Sequence, residues 1–278
     1  MLALNLLKYE LFSRWGVILG WGLGLGLFGI MYVAIYPQFE DKMAVLSEIP
    51  FYKAIGIDLG SFEGFIASSL VLNVPVILAI YVIVSSTDTL SGEEDKGTLE
   101  LIVTMPLKRW QIVTTKAIAL TVVTFVVLMI TGVTSAVTLI WVKQSVDVNV
   151  STSELFVAVM SCMPITLVFL MIGLFFSAWL PNRKTAATAA TTVFLVSYFA
   201  EILAGIVPAL DVIRPFLLFH YFDSGATVFF IGVQARDVWT LLVIAAIFFV
   251  LALVSFQHRD ITVGRWPWQR AKTGDTLT

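Results

Sequence analysis

Six long apolar stretches alternate with shorter polar segments along the chain, and a helix needs about 20 apolar residues to cross a bilayer. Strands buried in a soluble core are much shorter, so the pattern indicates spanning helices. Only helices and closed barrels satisfy all backbone polar groups inside a bilayer. The pattern therefore predicts an all-α membrane protein with spans near residues 16–36, 65–87, 117–142, 155–180, 185–207 and 238–256. Pro37 and Pro181 are expected to end the first and fourth spans, because proline interrupts helical hydrogen bonding.

Composition supports a membrane protein. The 278 residues are 59% hydrophobic and 13% charged, whereas soluble domains are about 25% charged. The net charge of −2 provides no basic field that would hold nucleic acid. The single cysteine, Cys162, excludes an intrachain disulfide and is expected to be a buried apolar residue. We expect one transmembrane domain over residues 1–260, followed by a polar cytoplasmic tail over 261–278.

The distribution of lysine and arginine predicts the orientation of the chain. With six spans both termini lie on one side of the membrane, and that side carries twelve of the basic residues against five on the other. The richer side holds Lys8, Arg14, Lys96, Lys108, Arg109, Lys116, Arg183, Lys184, Arg259, Arg265, Arg270 and Lys272. The poorer side holds Lys42, Lys53, Lys143, Arg214 and Arg236. Because basic loops remain in the cytoplasm, both termini are predicted to be cytoplasmic.

A short segment precedes the first span. Residues 2–12 place leucines around Asn5, Lys8 and Glu10, which suits an N-terminal helix lying at the cytoplasmic interface. A simple extension of the first spanning helix is an equal alternative.

A few small or polar residues within the spans are candidates for packing or for a transport pathway. Gly20 and Gly24 continue a G-x-x-x-G pattern from Gly16, which favours close packing against a helix of the same chain over a dimer contact. Asn73 precedes a proline whose kink should be satisfied locally. Glu201, near the outer end of the fifth span, would either face a pathway or pair with a charge in the next loop.

The most charged stretch of the chain is SGEEDKGTLELIVTMPLKRW, residues 91–110, between the second and third spans. Ser91 and Glu94 have the spacing of a capping box, which predicts a helix that begins near Gly92. On a continuous helix, one polar stripe would contain Glu93, Lys96, Gly97, Glu100 and Thr104. Pro106 would end that helix and lie in the first turn of the next. The stretch is either a docking surface for another protein or a plain interfacial hairpin.

The same stretch resembles a known motif. GEEDKGTLELIVTMP and KRWQIVTTK resemble the E-E-x-x-G-T-L-E, P-x-x-R and K signature of ABC-2 type transporter permeases, the membrane subunits of a class of ATP-driven exporters. Six spans with both ends inside are also similar to that family. SFQHRDI resembles the family's F-x-R-R-D close, with His258 where a basic residue is usual. SFEGF is similar to a phrase in permeases grouped with exporters of polyketide antibiotics.

The resemblance implies a mechanism in which two permease copies, most simply a homodimer, form a pathway and each sits on a cytoplasmic ATPase subunit. A coupling helix around Thr98 to Met105 would enter a cleft on that ATPase and pass its motion to the spans. The residues to which the resemblance gives an ATPase-coupling role are Glu93, Glu94, Gly97, Thr98, Leu99, Glu100, Pro106 and Arg109. The substrate would be hydrophobic or amphipathic: a drug, an antibiotic or a lipid-like molecule.

The chain contains no G-x-x-x-x-G-K-[ST] phosphate loop. We therefore expect no cofactor in this chain, and ATP and Mg²⁺ would be bound by separate ATPase subunits. No metal site is expected, because His220 and His258 are far apart and have no neighbouring ligands in the sequence. The resemblance favours a bacterial cytoplasmic membrane. A membrane-embedded lipid-modifying enzyme and a non-transporting scaffold or sensor are the alternatives.

Overall fold

The structure, a computed structural model, describes residues 2–47, 61–97, 107–146, 148–222, 228–229 and 232–259, and all regular elements among them are helices. The α-helices are α1 (Leu2–Ser13), α2 (Trp15–Ser47), α3 (Phe62–Ile66), α4 (Asn73–Asp88), α5 (Ser91–Asp95), α6 (Arg109–Val142), α7 (Thr152–Met160), α8 (Met163–Trp179), α9 (Arg183–Ile206) and α10 (Ala235–Gln257). A π-helical segment, Ala67–Val71, joins α3 to α4, and two 3₁₀ segments, Pro208–Phe216 and Leu218–Tyr221, follow α9.

Six of these helical stretches are long and apolar enough to cross a bilayer, which confirms the six predicted spans. They are Trp15–Gln38, Phe62–Asp88, Arg109–Val142, Thr152–Trp179, Arg183–Ile206 and Ala235–Gln257. The largest difference in a boundary is at the third span, where α6 begins at Arg109 rather than near Ala117. The chain is a multi-pass helical membrane protein.

Of the three proline predictions, one is corrected, one is confirmed and one falls outside the described residues. Pro37 does not end the first helix, because α2 continues through it to Ser47; a single missing hydrogen bond is a local cost that a long helix can absorb. Pro106 lies outside the described residues, so its predicted role at the start of α6 stays a prediction. Pro181 directly follows the C-cap Leu180 of α8, as expected.

The fourth span lies at the centre of the bundle. Its second part, α8, packs against α4, α6, α9 and α10, and its fully buried side chains include Ile165, Val168 and Leu170. The spans formed by α9 and α10 are the least buried. Their exposed side chains are large and apolar, as at Val196 and Ile247. Such surfaces are suited to contact with lipid.

The backbone around Pro75 is satisfied by two side chains. Proline has no N–H to donate to the carbonyl four residues earlier, and the buried thiol of Cys162 donates to that Val71 carbonyl instead, with Sγ and O 3.6 Å apart. The Asn73 Nδ2 donates to the carbonyls of Ser68 and Ser69 at 3.1 and 3.0 Å. Asn73 therefore stabilises the π-helical widening of the second span.

The glycines of α2 lie on two faces that differ in packing. Gly22, Gly26 and Gly29 contact α6, since a Cβ on any of them would touch the side chains of Ile130, Thr134 and Ser135. In contrast, a Cβ added at Gly16, Gly20 or Gly24 would meet no described atom within 4 Å. The predicted packing of this second set against a helix of the same chain is not seen among the described residues. Residues two apart in a helix point to nearly opposite sides, so the contact with α6 falls on the other side of α2 from Gly16, Gly20 and Gly24.

We expect Gly29→Val to destabilise the protein and Gly24→Val to leave its stability unchanged. A Cβ at Gly29 would overlap the hydroxyl of Ser135, and overpacking of this kind costs about 1–3 kcal/mol. The free energy of unfolding can be measured by titrating the purified protein with SDS and following its circular dichroism. Equal losses in both variants would contradict the assignment of the two faces.

Candidate functional site

The charged side chains concentrate at one end of the bundle, which we call the loop end: the end of α4, all of α5, the start of α6 and the ends of α8 and α10. At its centre, α5 ends at Asp95 and is followed by Gly97 with a φ of 71°. Only glycine adopts this left-handed conformation without strain. The predicted coupling helix, and with it Thr98, Leu99, Glu100 and Pro106, falls outside the described residues.

The predicted helix at Gly92 is confirmed, but its capping box is wrong. The Ser91 hydroxyl donates to the Thr87 carbonyl at 2.8 Å, and the cap of α5 is supplied from α8. Ser177 Oγ accepts from the backbone N–H groups of Leu90 and Ser91, at 3.2 and 3.0 Å, and donates to the Thr87 carbonyl. The predicted continuous polar stripe is also wrong for its described part, because the helix ends before Gly97.

A buried lysine links three elements at the loop end. Lys116 on α6 has a side chain with 0% exposure, and its Nζ lies 2.8 Å from Glu10 Oε1 and 2.6 Å from Glu93 Oε1. Arg14 pairs with the other oxygen of Glu10 at 3.1 Å. The N-terminal helix α1, the loop helix α5 and the third span are thus held by one ammonium group. Removing one partner from a buried ion pair leaves an uncompensated charge, which costs about 3–5 kcal/mol.

The two glutamates of this cluster differ in pKa. Burial would raise the pKa of Glu10, but the charges of Lys116 and Arg14 outweigh burial and lower it. Burial raises the pKa of Glu93, and Lys116, although in contact, does not compensate for it. The repulsion from Glu10 adds to that rise. Glu10, which has two cations beside it, is therefore the carboxylate that the cluster stabilises more strongly in its charged form.

A second buried ion pair holds α5 to the sixth span. Glu94 pairs with Arg259, which follows α10, and both side chains are 4% exposed. Arg259 Nη1 also donates to the carbonyls of Ser177 and Ala178 at 2.9 and 3.2 Å, which lie at the C-terminal end of α8 and need donors. Burial raises the pKa of Glu94 despite the charge of Arg259, and the nearby Asp95 adds to the rise.

Arg109 contacts the same end of the sixth span. Its Nη1 lies 3.3 Å from the carbonyls of Phe256 and Gln257 and 2.6 Å from that of Arg259. A cation is favourable there because the C-terminus of a helix carries partial negative charge. The first residue of α6 thereby fixes the position of the end of α10.

An exposed set of charges completes the loop end. Asp88 lies 3.1 Å from both Lys96 and Arg183, and the Asp95 carboxylate accepts from the backbone N–H of Arg183 at 2.9 Å. Exposed pairs contribute at most about 1 kcal/mol each. They nevertheless connect α5 to the start of the fifth span. The loop helix α5 therefore contacts α4, α8 and α9 and forms ion pairs with α6 and the end of α10.

Four residues of this site were not identified as functional from the sequence: Glu10, Lys116, Ser177 and Arg259. Lys116 stands just inside an apolar run, where an ionisable side chain indicates a buried partner. Lys116 entered the sequence analysis only as the last lysine of the motif and in the prediction of orientation. Glu10 and Arg14 are four positions apart and Lys116 and Glu93 are 23 apart. The other partners lie between 82 and 165 positions away, so no local pattern could have identified those contacts.

The predicted pathway or packing residues do not form one site. Gly20 and Gly24 lie on the open face of α2, and Asn73 bonds to the backbone of its own helix. Glu201, at the opposite end of the bundle, pairs with Arg214 at 3.0 Å. This confirms the expected pairing with a charge from the following loop.

Comparison with known proteins identifies the family. A family model described as ABC-2 family transporter protein matches residues 5–261. The chain belongs to the ABC-2 transporter family. No curated protein matches it significantly. The region matched by the ABC-2 family extends from α1 past Arg259, and so includes both buried ion pairs as well as all six spans of this ABC-2 protein.

We expect Lys116→Met to destabilise the ABC-2 protein by about 3 kcal/mol or more, because two buried carboxylates would lose their common partner. Lys96→Met is the matched control: its ammonium is 57% exposed, so the loss should be below about 1 kcal/mol. SDS titration of both purified variants gives the two free energies. A loss for Lys116→Met no larger than that of the control would show that the buried cluster is unimportant for stability.

Proposed function

We propose that this ABC-2 protein is the membrane subunit of an ATP-driven exporter and that separate ATPase subunits dock on the loop of residues 91–110. The observation that supports the proposal is that side chains of three spans hold α5 in place. Buried ion pairs hold Glu93 to the third span and Glu94 to the end of the sixth, and Ser177 of the fourth span caps the helix.

The argument for coupling is mechanical. A partner that moves the segment after Gly97 acts on a helix whose neighbours are bonded to it, so a displacement of α5 requires the attached helix ends to move with it. Breaking the buried pairs instead would cost about 3–5 kcal/mol each. Packed helices respond to such forces by rigid-body shifts between discrete arrangements. The loop end has the construction that force transmission to three spans requires.

The remaining parts of the proposal rest on the family. The loop end is cytoplasmic, in keeping with its excess of lysine and arginine, and the membrane is the bacterial cytoplasmic one. ATP and Mg²⁺ belong to the partner subunits. Two copies pair to form the pathway, and the open face of Gly16, Gly20 and Gly24 leaves room for another helix. The substrate is hydrophobic or amphipathic.

The alternative of a lipid-modifying enzyme is disfavoured by the same contacts. General acid–base catalysis needs a carboxyl group that can exchange protons with a substrate. Glu10, Glu93 and Glu94 instead contact lysine or arginine side chains that are buried or nearly so. A non-transporting scaffold would use the same loop, and only a transport measurement separates it from an exporter.

The proposal is tested by purifying the tagged protein from its native membrane in mild detergent and identifying the proteins that accompany it. We expect a stoichiometric ATPase that carries a phosphate loop. Gly97→Pro should lose this partner, because proline cannot adopt the φ of 71° that the end of α5 requires. Gly97→Asn should retain it, since asparagine tolerates the left-handed region.

Gly232→Pro is the matched control, because Gly232 also has a left-handed φ, of 83°, but lies in the segment before α10, away from the loop end. It should keep the ATPase. A wild-type chain that purifies alone, folded and reproducibly, would contradict the proposed function. Loss of the ATPase from both proline variants would contradict the assignment of the docking site to the loop.

A further inference from the structure

The end of the bundle opposite to the loop end contains a cavity of about 320 Å³ between α9 and the two 3₁₀ segments that follow it. Its polar lining residues are Glu201, Arg214 and His220, and its aromatic ones are Tyr198, Phe219 and Phe222. The volume falls at the lower end of the range for small-molecule sites, about 300–1,000 Å³. Aromatic side chains and a few polar groups are combined in many such sites, and in this cavity polar and apolar groups contribute about equally to the lining.

One oxygen of Glu201 is buried in this region without a described hydrogen-bond partner. Its Oε1 accepts from Arg214 Nε and Nη2 at 3.2 and 3.0 Å, and His220 Nδ1 is 3.9 Å from that same oxygen. Oε2 is buried and accepts no hydrogen bond from any residue that the structure describes. An unsatisfied buried acceptor is unfavourable, so a rotation of the carboxylate that turned this oxygen towards a hydrogen-bond donor in the cavity would be favourable.

The local charge favours a cation as that donor. Arg214 is shared between Glu201 and the exposed Asp211, whose Oδ1 lies 3.5 Å from Nη1. Two carboxylates thus face one guanidinium, and negative charge is in excess. A hydrogen bond between an ammonium and a carboxylate is also stronger than one between neutral groups.

The aromatic side of the cavity suits an apolar body attached to such an ammonium. Phe219 and Phe222 are each only 5% exposed, and Phe219 lies edge-to-face with Tyr198, with ring centroids 5.2 Å apart. The faces of such rings attract cations as well as apolar groups.

The cavity is also held in shape without a ligand. Ser197 Oγ on α9 accepts from the backbone N–H of Leu218 at 3.0 Å, which attaches the second 3₁₀ segment to the helix. The pair between Arg214 and Glu201 attaches the first one. A site that is already arranged loses less free energy through ordering when its ligand binds.

We propose that this cavity binds a hydrophobic ammonium ion, with the nitrogen at the Glu201 carboxylate and the apolar body against Tyr198, Phe219 and Phe222. As a substrate class for the exporter the inference rests on the proposed function, but binding itself is tested without any ATPase. An exporter that uses this site carries cationic amphipathic amines.

The test uses the purified full-length chain in nanodiscs of phosphatidylcholine, with empty nanodiscs subtracted, and isothermal titration calorimetry. The probe is 1-naphthylmethylammonium, compared with neutral 1-naphthylmethanol and anionic 1-naphthylacetate, which have the same ring. We expect saturable binding of the ammonium, about tenfold tighter than that of the alcohol, and the weakest binding for the carboxylate.

Glu201→Gln should weaken binding of the ammonium about tenfold and change binding of the alcohol little, because only the charge is removed. Arg214→Gln should raise the affinity for the ammonium relative to that for the alcohol, since it removes the positive charge beside Glu201. Loosening of the 3₁₀ segment that this pair attaches would instead weaken binding of both ligands alike. Glu154→Gln is the matched control and should bind like the wild type. Its glutamate caps α7 through Ser151, away from this cavity, and glutamine can serve the same capping role.

Equal affinity for ammonium and alcohol, no saturable binding, or unchanged binding in Glu201→Gln would overturn the inference. ATP-driven transport of a substrate with no binding of the ammonium would overturn it while leaving the proposed function intact. Binding that follows the expected order in a chain that never associates with an ATPase would contradict the proposed function alone.

Discussion

The ammonium group of Lys116 is the contact on which the loop end depends. It is fully buried, and the two carboxylates it serves come from the N-terminal helix and from the loop helix α5. A charge in this position is tolerable only while its partners remain in place. The constraint therefore acts in both directions: the third span cannot leave the loop helix, and the loop helix cannot leave the N-terminal helix, without exposing or isolating a charge. The pair of Glu94 with Arg259 imposes the same condition on the sixth span.

The spans themselves depend on side chains that form hydrogen bonds with backbone groups lacking a helical partner. Cys162 and Asn73 donate to carbonyls around the kink at Pro75, and Ser177 supplies both a donor and an acceptor where α4 gives way to α5. In a bilayer no water replaces a missing backbone hydrogen bond, so each irregularity needs a side-chain partner. Asn73 supplies one from its own span, and Cys162 and Ser177 supply theirs from the fourth span. The irregular positions are consequently places where helices are tied together, and the loop end combines them with the ion pairs.

The apolar stretches were sufficient to predict the number of spans, because bilayer thickness imposes a minimum length on each one. They could not predict where helices begin and end. Hydropathy indicates whether a residue lies in lipid or in a polar environment, but it does not indicate whether the residue is helical. The helix α6 begins at Arg109, which precedes the apolar stretch. Likewise, the serine and glutamate spacing at Ser91 indicated a helix correctly, yet the cap comes from Ser177, 86 positions away. The charged cluster was located by composition and motif, but its pairing, such as Lys116 with Glu10 over 106 positions, is a property of the packed helices.

The fifth span connects the two polar regions of the bundle. At its first residue, Arg183 bonds to Asp88 and Asp95 of the loop end, and Glu201 of the same uninterrupted helix lines the cavity at the other end. The two positions are separated by about 27 Å at 1.5 Å per residue. A continuous helix moves as one body, so a shift of α5 that carried the start of α9 with it would displace Glu201 relative to the core residues that its helix packs against. If the loop receives force from an ATPase and the cavity holds an ammonium ion, α9 is the element through which the first event would act on the second.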